Sequence, residues 1–369
     1  MTKEDFLLML VRAELWSKKL NGSALPHELF VRAFDAAEKQ TVTGLLVSAF
    51  LNPANGVRLD KYDAVQTYSA CQDIAEENRK LNVELVALCR LLKAHDICFF
   101  VVKGATIGAL YPHPEARMSG DIDFYLDAAN FDKARDLIER EWHVTFEEDD
   151  DDESEQHLAF VYHGQTFEMH FCLLKFVSGK VQRVFEKMIA GSSVCYREIS
   201  GEMVPVLAPV EELVYTFLHL YHHFIEVGVG LRQICDMAIL LDKFPRDEEN
   251  CKALGRWLER LDFLAGFRAF EAICVDNLGI KAERLPIGIS PQDRLRKKDI
   301  MDVVFKRGNF GKYGRRSEVR SGMRYYKEMF CLKLKQYVRF YHFAPRESRA
   351  VLLRDIPRKV FLAVRRFMA

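Results

Sequence analysis

Between Ile97 and Leu207 the apolar residues of this 369-residue chain change their spacing. Up to about residue 95 they recur three and four apart, in "KEDFLLMLVRAELWSKKL", "PHELFVRAFDAAEKQTVTGLLVSAFL" and "DKYDAVQTYSACQDIAEENRKLNVELVALCRLLKAH". That is the period of helices with one buried face. Gly22 and the "NPANG" turn at 52–56 are the breaks between them. Within 97–207 short runs rich in β-branched and aromatic residues replace this pattern, and helical spacing returns at Pro209. A block of strands enclosed by two helical stretches predicts an α+β fold, a mixed sheet with helices, flanked by N-terminal and C-terminal helical regions. The regions expected are 1–95 (helical), 96–207 (the mixed core), 208–300 (helical) and 301–369 (basic and helical).

Inside the core, "ICFFVVKG" reads as a strand ending in glycine, and "ATIGALYP" as a short helix stopped by Pro112 and Pro114. "DIDFYL" is a second strand, followed by Asp127 and the helix "NFDKARDLIEREW". "HLAFVYHGQTFEMHFCLL" reads as two strands around His163-Gly164, and "CYREISGEMVPVL" as another hairpin. The acidic run Glu147–Glu153 reads as a solvated loop between a helix and a strand.

The second strand places Asp121 and Asp123 two residues apart, on one face. Half-buried neighbouring carboxylates repel unless a cation or hydrogen-bond donors compensate. Upstream, Lys103-Gly104-Ala105 sits at a strand-to-helix turn, where glycine permits close backbone approach and free N–H groups suit phosphate. Downstream, Glu168 and His170 in "FEMHF" share a strand face. Three carboxylates facing a phosphate-binding turn make a site for hard cations, above all Mg²⁺. Two such ions about 3.5–4 Å apart serve in-line displacement at phosphorus.

With these residues in place, "KGATIGALYPHPEARMSGDIDFYL" resembles the nucleotidyltransferase superfamily that includes DNA polymerase β and tRNA-terminal nucleotidyltransferases. It is most similar to an uncharacterised bacterial branch reading "KG…YP…R…GDID", followed by an acidic-x-His strand and a helix like "GLRQICDMAILL". The resemblance covers about 97–245. It implies Mg²⁺- or Mn²⁺-dependent transfer of a nucleoside monophosphate from an NTP such as ATP to a hydroxyl, releasing pyrophosphate. It further implies that Asp121, Asp123 and Glu168 are catalytic residues and metal ligands for two ions, with Glu168 assisting deprotonation of the acceptor. Lys103, Gly104, Ala105, Arg117 and Ser119 would bind the nucleotide, and His170, Arg232 and Asp236 would stand behind them. The chain departs from the superfamily at Ala105, where Ser or Gly is common, and at Gly120, where many relatives carry Ser. The acceptor is open: protein, RNA, sugar or small molecule. Two other readings are a tRNA-modifying toxin of a toxin–antitoxin system and a degenerate module that holds nucleotide without turnover.

Each motif also has a plainer reading. DxD pairs are common on exposed turns; Lys103 suits a solvent-facing strand end; Arg117 could simply pair with one aspartate; and His170 could be a structural histidine. Arg232 and Asp236 lie four apart and could form an intrahelical ion pair. His219, His222 and His223 share a helix face without a Cys or acidic partner to complete a zinc set, so packing is expected. The 53 basic and 53 acidic residues cancel, yet from Phe305 onward 18 Lys/Arg stand against 4 Asp/Glu. In "PRKVFLAVRRFM", Val360, Phe361, Val364, Phe367 and Met368 form a stripe flanked by Arg358, Lys359, Arg365 and Arg366. That region suits RNA, an anionic membrane surface, or docking on the acidic body. Nine scattered cysteines without CxxC, no signal-peptide pattern and no spanning apolar run point to a cytoplasmic protein without a transmembrane segment.

Overall fold

The computed structural model describes residues 2–20, 22–146, 156–313, 322–359 and 361, with backbone alone for 322–326. The acidic run at 147–153 lies outside the described residues, as does the C-terminal stripe apart from Phe361. The chain divides into two compact units, Met1–Lys175 with Ala190–Glu212, and Phe176–Ile189 with Leu213–Ala369.

The first unit opens with helices α1 (Lys3–Leu15), α2 (His27–Gln40), α3 (Thr43–Leu51) and α4 (Lys61–Ala94). Thr2 and Asp5 close a capping box on α1, and the Asp60 carboxylate accepts from the Tyr62 and Asp63 N–H groups at the start of α4. The second helical stretch, read as continuous from sequence, is two helices. Thr41 turns into the left-handed region (φ 55°), and its N–H caps the Ala37 and Glu38 carbonyls. The core then follows as β1 (Phe100–Val102), α5 (Gly104–Gly108), β2 (Ile122–Tyr125), α6 (Ala128–Trp142), β3 (His157–Tyr162) and β4 (Gln165–His170). Asp127 caps α6 by accepting from Ala129 and Asn130.

These four strands form one mixed sheet in the order β1-β2-β4-β3, with only the β2–β4 pair parallel. Because side chains alternate, Ile122, Phe124, Phe167 and Met169 all fall on the buried face. They pack there with Leu81, Leu85 and Leu88 of α4 and with Leu137 and Ile138 of α6. Each such fully buried side chain contributes about 2–3 kcal/mol of hydrophobic stabilisation. The hairpin β5 (Val194–Ile199) and β6 (Glu202–Leu207) is a separate two-stranded sheet. The result is a helix-rich α+β fold with a small mixed sheet.

The second unit holds α7 (Gly179–Ala190), most of α8 (Pro209–Glu226), then α9 (Leu231–Lys243), α10 (Glu248–Leu261), α11 (Leu264–Asp276), α12 (Lys297–Arg307), α13 (Gly322–Arg339) and α14 (Pro345–Ala350). The sequence reading did not anticipate α7, although Val181, Phe185, Met188 and Ile189 have helical spacing and are buried. It also joined α10 to α11, which Asp262 separates at φ 68°. Edge-to-face aromatic pairs organise this core, including Phe217 with Phe267 and Phe224 with Phe340. Among the described residues no helix is long and apolar enough to cross a membrane.

Candidate active site

The site grows out of strand register. In the parallel pair, Asp123 lies directly beside Glu168, and Tyr125 beside His170. Asp121, just ahead of β2, shares the face of Asp123, two residues on. The hairpin β3–β4 turns through His163 (φ 47°) and Gly164 (φ 79°), a two-residue turn that sets His157 opposite His170. One sheet face thus carries Asp121, Asp123, Glu168, His170 and His157, while the alternate residues fill the core. Carboxylate oxygens of Asp121, Asp123 and Glu168 all lie within 4.8 Å of one another.

Asp123 is the anchor of this face. Its Oδ1 lies 2.9 Å from Lys103 Nζ and 2.9 Å from His170 Nε2, and the residue is only 3% exposed. Burial alone would raise its pKa, but Lys103 and His170 outweigh that and hold the carboxyl well below its ordinary value. His170 Nε2 is also 3.3 Å from Glu168 Oε2. Burial opposes charge on His170, yet its hydrogen bonds to Asp123 and Glu168 prevail and raise its pKa. Glu168 moves upward, chiefly through burial, with the charges of Asp123 and Asp121 adding to it.

Lys103 reaches Asp123 from a turn with two consecutive positive φ angles, 57° at Lys103 and 45° at Gly104. A non-glycine residue held there stores strain of about 1–3 kcal/mol, which the buried ion pair helps to offset. A side chain at Gly104 would stand 3.3 Å from the Asp121 carbonyl oxygen, so the turn and the aspartate segment are in close approach. Of the two sequence readings of Lys103, the solvent-facing one is replaced by this ion pair. The lysine side chain is 17% exposed.

Arg117 is buried, with Nη1 donating to Ser119 Oγ at 3.1 Å. Gly120 has no atom within 4 Å of the place a Cβ would take, so it is not a steric requirement. Two residues not singled out from the sequence brace the site. Asn78 Nδ2 of α4 donates to the carbonyls of Glu115 (2.9 Å) and Arg117 (2.8 Å), pinning the segment that enters β2. Arg197 of β5 grips both carboxylate oxygens of Glu212 (2.8 and 2.9 Å) and donates to the Thr106 carbonyl of α5 (2.8 Å). Such links join segments far apart in the chain, so nothing local announces them.

Arg232 and Asp236 lie on α9, in the second unit. On α8, His219 and His223 face each other at 3.1 Å, and His222 lies 3.7 Å from Glu226.

The donor set fits a divalent cation: three convergent carboxylates, one of them buried and already balanced by an ammonium and an imidazole. A family model described as uncharacterised nucleotidyltransferase matches residues 31–274. This chain belongs to that family. The matched span runs from α2 into α11 and takes in the Lys103-Gly104 turn, both aspartates, Glu168 and α9. Among solved structures, an antigenic nucleotidyltransferase-like protein from Paracoccidioides brasiliensis is similar, at 15% identity and a TM-score of 0.33. That match covers 49% of this chain and 88% of the other. No curated protein matches the chain.

Proposed function

We infer that this member of the nucleotidyltransferase family is a metal-dependent enzyme that moves a nucleoside monophosphate from an NTP to a hydroxyl acceptor. The observation that carries the reading is the meeting of Asp121, Asp123 and Glu168 within 4.8 Å beside the Lys103-Gly104 turn. The three carboxylates would hold Mg²⁺ or Mn²⁺, which when bound polarises the α-phosphate and favours the ionised acceptor oxygen.

The chain's own residues supply the rest. The acceptor oxygen bonds to the α-phosphorus while the bond from that phosphorus to the oxygen bridging to the β-phosphate breaks, and pyrophosphate departs. The hydroxyl proton passes to a Glu168 carboxylate oxygen that the cation leaves free. Gly104 and Ala105 present backbone N–H groups to the triphosphate. Lys103 exchanges Asp123 for phosphate oxygens when nucleotide arrives, and Arg117, with Ser119, supports that side of the pocket. His170 keeps Asp123 in orientation through its 2.9 Å contact.

The test is incubation of each α-labelled NTP with Mg²⁺, cell lysate and either the native chain or Asp121→Asn/Asp123→Asn. Label should reach an acceptor with the native chain and fall at least about 100-fold with the variant, some 2.7 kcal/mol of transition-state stabilisation. Labelled tRNA would identify the acceptor as RNA. Equal labelling by both proteins would remove the carboxylates from the mechanism.

A further inference from the structure

Glu168 has imidazole neighbours as well as carboxylate ones. His157 and His170 are direct partners across the β3–β4 hairpin, with ring centroids 4.9 Å apart. One ring nitrogen from each and a carboxylate oxygen of Glu168 lie within 4.8 Å of one another. His170 is 5% exposed, and its Nδ1 makes no hydrogen bond among the described residues. A buried polar nitrogen left without a partner costs about 1–3 kcal/mol, so this ring has a coordination position unspent.

We propose that His157, Glu168 and His170 form an imidazole-rich position for a borderline transition-metal ion, next to the all-carboxylate position, with Glu168 common to both. Two imidazoles and one carboxylate are a donor set for Zn²⁺, Co²⁺ or Mn²⁺, whereas Mg²⁺ prefers oxygen ligands throughout. Asp123, hydrogen-bonded to His170, fixes that ring as neighbouring carboxylates do for metal-bound histidines. The inference deepens the nucleotidyltransferase reading and rests on it for the shared Glu168. Two adjacent positions of different chemistry would then give the site a mixed metal preference.

The test uses Co²⁺ as the probe, on the full chain in excess Mg²⁺. One Co²⁺ per chain should bind, with visible absorption that Mg²⁺ does not displace. His157→Ala should weaken that binding at least about tenfold, given that losing even an outer-sphere partner of a metal ligand costs 10–100-fold. Asp121→Asn should retain it. X-ray absorption of the unmutated Co²⁺ protein should show imidazole scattering, a readout that needs no variant to fold. An all-oxygen shell, ready displacement by Mg²⁺, or unchanged affinity in a folded His157→Ala protein would each overturn the proposal. Failure of the transfer reading is distinguishable. It would appear as equal nucleotide transfer by native and Asp121→Asn proteins, whatever Co²⁺ does.

Discussion

Asp123 and Asp121 stand two residues apart, yet their environments assign them different weight. Asp123 is buried under Lys103 and His170, so Asp123→Ala removes the buried carboxylate that the ammonium and the imidazole share, with Glu168 still 3.3 Å from His170. Removing one partner of a buried pair typically destabilises by about 3 kcal/mol or more, and a chemical denaturation curve of Asp123→Ala should show a loss of that size. Asp121 is less buried, and Asp121→Asn should change stability by under about 1 kcal/mol in the same measurement while transfer disappears. If both variants lost stability alike, the anchoring role given to Asp123 would be wrong. Gly104 offers a separate check, since its φ of 45° and the nearby Asp121 carbonyl predict that Gly104→Ala costs about 1–2 kcal/mol. Gly120→Ser, with open space around it, should melt with the native protein.

At the scale of elements, the candidate site depends on helices that lie outside its carboxylate cluster. A Cβ at Gly44 of α3 would stand 2.1 Å from the Ala116 carbonyl oxygen, one residue before Arg117. Gly44→Ala must therefore displace backbone, and a thermal melt should show destabilisation of about 2 kcal/mol or more; an unchanged melt would mean the segment shifts freely. Arg197→Lys replaces a planar fork by a single ammonium. It should loosen the hold on Glu212 and Thr106 and slow transfer, with Asn78→Ala acting similarly through Arg117. This is also where sequence ceases to be legible. Asp121, Asp123, Glu168 and His170 could be placed on strand faces because alternation is local. His157 needed one further step, counting equally back from the His163-Gly164 turn, which pairs it with His170. Lys103's ion pair, Asn78 and Arg197 join segments distant in sequence, and no local pattern encodes such contacts. The breaks at Thr41 and Asp262 were hidden because neither residue is glycine or proline, although both adopt left-handed backbone. Both runs keep helical spacing across the break.

At the scale of the molecule, each unit has its own core and its own carboxylate held by a lysine. In the second unit, Glu226 lies 2.6 Å from Lys333 Nζ and 3.2 Å from Tyr337 Oη. Burial raises its pKa, but His222 and Lys333 overcome this and bring the carboxyl from 4.5 to about 2. A group depressed on folding stabilises the native state above its unfolded pKa and loses that contribution as pH falls toward the folded value. Native protein should therefore exceed Glu226→Gln in stability by roughly 1–3 kcal/mol near neutrality, with the gap closing between about pH 4.5 and 2. Urea denaturation across that range would check it, and a constant gap would refute the assignment. The first unit holds the residues of the proposed site. The proposed role of Asp121, Asp123 and Glu168 is nucleotidyl transfer rather than transfer of a terminal phosphate. Parallel incubations with α-labelled and γ-labelled NTP decide this most directly. α-Label should appear on the acceptor and γ-label only in released pyrophosphate; γ-label on the acceptor would overturn nucleotidyl transfer.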